Sequence, residues 1–243
     1  MPDPTFQPAM PVPWELVPAT FVDRPNRFIT NIRINGQVIP AHLPDPGRLL
    51  ELLLPGVDLL VQYNPGPQRK TDYTTHLVRH RGRWVCINTL LPNQFVAFIL
   101  HERALPFLKD WSLAGREVTK GHSRFDFMLE RGGEQMWLEV KSVTYVEEGV
   151  AQFPDAVSER AARHARHLAQ LCRDGHPAMI LFVIQRDDAR LFTPMWDRDP
   201  DVGRALNEAR VAGVAIHAIK IAVTPEHFTY VGEVPVDLTP PTS

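Results

Sequence analysis

The sequence predicts an α/β (α+β) protein in which a small β-barrel of the oligonucleotide-binding type precedes an α/β domain around a mixed sheet. Three observations carry this. The first third alternates short strand-like runs with turn dipeptides, and from about residue 89 helical periodicity alternates with strands. Residues 178–185, AMILFVIQ, form a continuous apolar run of the kind buried on both faces of a sheet. The expected domains are residues 1–88 and 89–243.

The barrel is read element by element. RFITNIRI (27–34) and QVIPAHL (37–43) flank Asn35-Gly36, the strongest short hairpin signal. PGRLLELLL (46–54) suits a short helix, and VDLLVQY (57–63) another strand. After the turn-rich NPGPQRK, the strands DYTTHLVRH (72–80) and RWVCIN (83–88) pair around Arg81-Gly82. Pro92 and Asn93 then open a helical stretch, QFVAFILHERALPFL. Three strands follow: REVTK (116–120), SRFDFMLE (123–130) and QMWLEVKSVTYV (135–146). Asp155 suits the N-cap of the helix AVSERAARHARHLAQLCRD, and Gly175 lies just past its end. A helix over about 201–212 and a strand over about 214–223 complete the chain.

Composition bounds the function. A chain of 243 residues with 44% hydrophobic and 22% charged residues can bury a real core. No apolar run reaches the roughly 18 residues of a membrane helix. The start, MPDPTFQPAMPVPW, has neither the basic nor the apolar region of a secretory signal. Cys86 and Cys172 lie far apart and form no paired metal spacing or disulfide framework, so the cytoplasm is the expected compartment. A net charge of −2 argues against indiscriminate coating of nucleic acid but permits a local basic groove. Arg69, Lys70, Arg79, Arg81 and Arg83 crowd one stretch, and Arg160, Arg163 and Arg166 share one helix. A solvated face is the plain alternative for both.

The chemistry concentrates on one hairpin. With Gly132-Gly133 as its two-residue turn, Asp126 falls opposite Glu139 and Arg124 opposite Lys141. Alternation gives Phe125, Phe127, Leu129, Met136, Leu138 and Val140 one apolar face, and Arg124, Asp126, Met128, Trp137, Glu139 and Lys141 the other. Opposed carboxylates repel, and a divalent cation is the natural compensator. Mg²⁺ or Mn²⁺ would be held by Asp126, Glu139 and the Val140 carbonyl, with Lys141 orienting the attacking water or offsetting phosphate charge. The plain alternative is a ladder of salt bridges with Arg124 and Lys141. Glu159 and Arg160 open the next helix and suit a water-mediated metal contact and a phosphate clamp; helix capping is the alternative for Glu159. Arg69 and Lys70, near Tyr73 and Trp84, suit single-strand contacts, as Arg124 does beside the metal. Trp84 also reads as core. His164 and His167, and likewise His76 and His80, read as surface histidines without a third ligand. The chain has no Gly-rich phosphate loop, GxSxG elbow or HExxH.

Asp126 in SRFDF with Glu139-Val140-Lys141 in LEVKSVT resembles the PD-(D/E)xK nuclease superfamily. GHSRFDFML, WLEVKSVTYVEEGVAQFPDAVSERAARH, ILFVIQR and AGVAIHA are similar to the sugar fermentation stimulation protein A family. So are NRF, LPDPGRLLELLLPG, QRKTDYTTHLV and VCINTLLPNQFV, so the resemblance spans nearly the whole chain. It implies an oligonucleotide-binding-type barrel before a restriction-endonuclease-like PD-(D/E)xK domain, nucleic-acid binding, and a name rooted in sugar use. It implies metal acids at Asp126 and Glu139 and the motif lysine at Lys141. Two departures stand out. Phe98 occupies the usual place of a helix glutamate, for which Glu102 is a candidate substitute, and the family's PNTG turn reads Pro44-Asp45-Pro46-Gly47. The expected function is a Mg²⁺- or Mn²⁺-dependent nuclease acting on DNA, with RNA a second candidate. The alternatives are a non-catalytic, non-specific DNA-binding regulatory factor linked to sugar (maltose-type) metabolism, and a scaffold with a charged hairpin.

Overall fold

The computed structural model describes residues 7–241. Residues 1–6, part of the proline-rich start read as no secretory signal, lie outside the described residues. β1 (Ala9–Pro11) is followed by six strands: β2 (Leu16–Asn26), β3 (Ile29–Ile34), β4 (Gln37–His42), β5 (Asp58–Tyr63), β6 (Tyr73–His80) and β7 (Arg83–Cys86). β2 to β6 run in the order β4-β3-β2-β5-β6, and a β4–β6 pairing closes them into a five-strand barrel, with β7 added beside β6. Closure removes the sheet edges. Its interior is apolar and includes Phe21, Ile32, Leu59, Val61 and Val78. β2 pairs with both β3 and β5, and register shifts between Phe21 and Asn26 let it turn the barrel corner.

Residues 46–54 form turns rather than the expected short helix. Leu49 sits at φ 51°, outside helical space, and its N–H is claimed by the Asp155 carboxylate from the second domain. The hairpin turns follow the sequence: Asn35-Gly36, Arg81-Gly82 and Gly132-Gly133 all have positive φ at both positions.

The second domain opens with α1 (Leu91–His101) and a 3-10 turn at Pro106–Leu108. Next come β8 (Ser112–Lys120), β9 (Ser123–Arg131), β10 (Glu134–Val143), β11 (Val146–Glu147) and β12 (Val150–Phe153). α2 (Glu159–Arg173), β13 (Ala178–Ile184), β14 (Leu191–Pro194), α3 (Pro200–Val211), β15 (Ala215–Val223) and β16 (His227–Val234) complete the described chain. The main sheet has the order β1-β16-β15-β13-β10-β9-β8, parallel at β10–β13–β15 and antiparallel elsewhere. β13 is buried at every position, as its unbroken apolar run requires. β11, β12 and β14 form a small separate sheet.

α2 and α3 cover one face of the main sheet, and α1 covers the other. β1 joins the main sheet although it precedes the barrel, and Trp14 stacks on the buried His76 of β6 at 3.8 Å. His76 is thus a core residue, bonded to Asn88 and Gln62, and not the surface histidine expected. Trp84 is half-buried against the same core. Asp155 does not cap α2. Ser158 does, accepting from the Ala161 N–H, while Asp155 accepts from Leu49 of the barrel and from Arg198. The end of α2 agrees with the sequence, with Gly175 at φ 87° just beyond it. Among the described residues no helix is long and apolar enough to cross a membrane.

Candidate metal and nucleic-acid site

The β9–β10 hairpin keeps the expected register from Glu134–Arg131 to Leu138–Phe127, and there the ladder stops. Asp126 and Glu139 are therefore not a paired cross-strand couple. Glu117 of β8, between the Arg116–Phe127 and Val118–Phe125 pairs, adopts φ 54°, a left-handed conformation that a glutamate reaches only under strain. Both strands turn over at this point. Phe125 thereby packs with Trp137 in the α2-side core, whereas Phe127 and Leu129 remain on the α1 side, which corrects the expected shared face.

The turnover frees the Asp126 carboxylate to lie in the gap between strands. Its Oδ2 accepts the Val140 N–H at 2.7 Å, and its Oδ1 accepts from Asn93 Nδ2 of α1 at 2.7 Å. A strand residue sends its N–H and C=O to the same edge, so the Val140 carbonyl also faces this gap. Burial, then the charge of Glu139, push the Asp126 carboxyl above its ordinary range, with the Val140 N–H, Lys141 and Asn93 opposing.

Glu139 and Lys141 alternate onto the α2 side of β10. Glu139 is 2% exposed, and its Oε1 accepts from Lys141 Nζ at 2.5 Å and from His164 Nδ1 at 2.6 Å. Burial alone would raise its carboxyl, but the His164 hydrogen bond and the Lys141 ammonium outweigh that and hold it low. Its Oε2 is buried with no hydrogen-bond partner among the described residues. An anionic oxygen in that position is costly unless something positive reaches it. Among the described residues no three His, Cys, Asp or Glu side chains converge into a closed metal cage. The donor set is instead two carboxylates with a carbonyl in the same gap, which suits a hard cation that keeps part of its water shell.

These groups line a cleft of about 550 Å³ walled by both domains. Arg27, Asp45 and Gly47 come from the barrel, and Asn93, Glu117, Arg124, Lys141, Asp155 and Arg160 from the second domain. The barrel wall is fixed by Arg24, whose guanidinium donates to the carbonyls of Gly47, Arg48, Arg27 and Asp45.

Of the residues expected to grip nucleic acid, Arg124 and Arg160 line this cleft. Arg124 pairs with Glu117 at 2.9 Å rather than standing in a ladder with Lys141. Arg69 and Lys70 are exposed outside the cleft, with Arg69 donating to Thr74 and Thr71. Glu159 starts α2 on an exposed position and does not line the cleft, though Ser158 and Arg160 beside it do. Glu102 caps the far end of α1, and nine residues at 1.5 Å rise put it about 13 Å along the axis from Asn93. It is no substitute for the missing helix acid. Asn93 is the α1 residue that meets Asp126, and Phe98 packs half-buried against the α1-side core.

His164 and His167 are buried, against expectation. The pattern that would have found His164 is the apolar stripe of α2: Ala161, His164, Ala165 and Leu168 recur at helical spacing. A histidine on that stripe needs a buried partner, and Glu139 is the one it has.

A family model described as "Sugar fermentation stimulation protein RE domain" matches residues 90–227, and one described as "SfsA N-terminal OB domain" matches residues 22–87. A sugar fermentation stimulation protein homolog of Desulforamulus reducens is 41% identical over 211 residues, covering 86% of this chain and 87% of that protein. One from Chloroflexus aurantiacus is 42% identical over 221 residues, covering 91% and 85%. Pyrococcus furiosus SfsA, whose structure is described as in complex with Ca²⁺, aligns with a TM-score of 0.86 at 32% identity over 94% of this chain and 98% of that one.

Proposed function

This chain belongs to the sugar fermentation stimulation protein family, and we propose that it is a divalent-metal-dependent nuclease hydrolysing phosphodiesters of DNA, with RNA as a second substrate class. The observation that carries this reading is the buried Glu139 Oε2, without a hydrogen-bond partner among the described residues, beside Asp126 in an interdomain cleft. Asp126, Glu139 and the Val140 carbonyl would hold Mg²⁺ or Mn²⁺. The related Pyrococcus furiosus protein is described with Ca²⁺, a hard cation that takes the same oxygen donors. When bound, such an ion supplies Lewis-acid stabilisation of phosphate charge and a more acidic water. Lys141, 15% exposed and two residues from Glu139, orients the attacking water or neutralises phosphate charge. Arg124 and Arg160 hold the strand from the cleft rim. The oligonucleotide-binding-type barrel supports a nucleic-acid partner.

A second reading, a catalytically silent DNA-binding regulator of sugar use, is favoured by one observation. α1 presents the Asn93 amide to Asp126 and no carboxylate. Cleavage of labelled single- and double-stranded DNA and RNA with Mg²⁺, Mn²⁺ or EDTA separates the two. Metal-dependent cutting lost in Asp126→Ala and Lys141→Ala is expected. Salt-sensitive binding without cutting, unchanged in both variants, supports the regulator instead.

A further inference from the structure

We infer that His164 is a positioning residue that fixes the metal-binding carboxylate of Glu139, an inference that rests on the metal-site reading above. The imidazole is 4% exposed and the carboxylate 2% exposed, and the 2.6 Å contact runs from Nδ1 to Oε1. A carboxylate only accepts, so Nδ1 carries the proton and has no lone pair to offer a cation. His164 is therefore not itself a ligand through this nitrogen. Together with Lys141 it saturates Oε1 and leaves Oε2 as the free donor. A carboxylate on a flexible two-methylene stem has several rotamers, and this bond selects one of them.

The element that carries His164 is itself braced. The Ser158 N–H donates to Asp199 Oδ2 at 2.8 Å, and Arg166 grips Asp201 through two nitrogens at 2.7 and 3.0 Å, so α2 is locked to α3. Arg160 stands one helical turn before His164 and lines the cleft, so one helix sets both the floor acid and a cationic group at the rim. Partners that orient a metal ligand in this way typically raise metal affinity 10–100-fold. A lysine alone does not do this work, since its flexible ammonium follows the carboxylate rather than holding it.

The test is Mn²⁺ binding to the full chain without nucleic acid, by calorimetry or by loss of the free-ion electron paramagnetic resonance signal. It compares wild type with His164→Ala, His164→Asn and His164→Gln, each checked for an unchanged fold by circular dichroism. An asparagine amide nitrogen falls near the Nδ1 position and can restore the bond, whereas the longer glutamine places its amide nitrogen near Nε2. The expected result is ~10–100-fold weaker binding in His164→Ala and His164→Gln, with His164→Asn close to wild type. Wild-type affinity in all three variants, or equal weakening in all three, overturns the positioning role while leaving the metal site in place. Absence of binding in wild type overturns the metal site and this inference together.

Discussion

Asp155→Ala is expected to loosen the barrel loop from the second domain. Its Oδ2 accepts from the Leu49 N–H at 2.7 Å, in a residue with no exposed surface, and its Oδ1 accepts from Arg198 at 2.8 Å. Removing the carboxylate orphans the buried N–H, at a cost of about 1–3 kcal/mol. The Arg198 pair is 28% and 12% exposed, so its loss falls between the surface and buried limits, about 1–2 kcal/mol. The expected destabilisation is thus about 3 kcal/mol, against about 1 kcal/mol for Ser158→Ala, which removes the true helix cap. Urea denaturation followed by tryptophan fluorescence measures both. Limited trypsin digestion adds a local readout, because the exposed Arg48 lies in the loop that Asp155 pins, and its cleavage should accelerate in the variant. If Asp155→Ala costs no more than Ser158→Ala and leaves cleavage at Arg48 unchanged, the carboxylate is not what joins barrel to cleft.

Other expectations concern pH, packing and binding. His76 is pushed down to about 3 by burial first, so below pH 6.5 the unfolded chain takes up its proton and stability falls until about pH 3. Asp45 is pushed up to about 6, chiefly by burial; its contribution is full below pH 3.8 and is lost as pH rises through 6. The two proton uptakes cancel between about pH 6 and 4, so Asp45→Asn should steepen the acid loss of stability there by up to ~1.4 kcal/mol per pH unit; parallel wild-type and variant curves from urea melts would refute this. Gly203→Ala should destabilise by about 1–3 kcal/mol despite better helix propensity, because the new Cβ would lie 2.4 Å from the Trp196 ring; an unchanged melting temperature contradicts it. Arg160→Ala should lower the slope of log affinity against log salt for DNA by about 1, and an unchanged slope would remove Arg160 from the phosphate contacts.

The elements legible in the sequence are those whose cause is local. Asn35-Gly36, Arg81-Gly82 and Gly132-Gly133 dictate two-residue turns by backbone sterics alone, and the three hairpins form there. The unbroken apolar run of β13, seven residues long, is too short for a buried helix and suits a strand covered on both faces. β2 escaped because Pro18 and Pro25 interrupt it and its partners β3 and β5 must impose the pairing from outside. β12 and β14 are four residues each and pair at a separation of 41 positions, so no local pattern announces them. The helix expected over 46–54 failed for a similar reason. Leu-rich periodicity is present, yet Asp155 captures the Leu49 N–H from another domain. At the site, the alternation of Glu139 and Lys141 was readable, whereas the end of the β9–β10 ladder at Leu138–Phe127, which takes Asp126 out of register with Glu139, has no local signal.

The choice between an ionic ladder and a cation site turns on whether the charges already satisfy one another. A self-sufficient ladder would pair Arg124 with Lys141's side of the hairpin and give each acid its own cation. Arg124 instead goes to the exposed Glu117, which leaves two largely buried carboxylates facing one ammonium. That ammonium and His164 both bond the same oxygen of Glu139, and the second oxygen has no hydrogen-bond partner among the described residues. Among the described residues Asp126 accepts hydrogen bonds from neutral donors, an amide and a backbone N–H. The surplus negative charge is therefore shared by Glu139 Oε2 and Asp126, and the single Lys141 ammonium near both offsets only part of it. A further positive charge at that point relieves both the desolvation of Glu139 and the repulsion that raises Asp126. On the function proposed above, a divalent ion would do so and leave open positions for a phosphate in the cleft that Arg124 and Arg160 line.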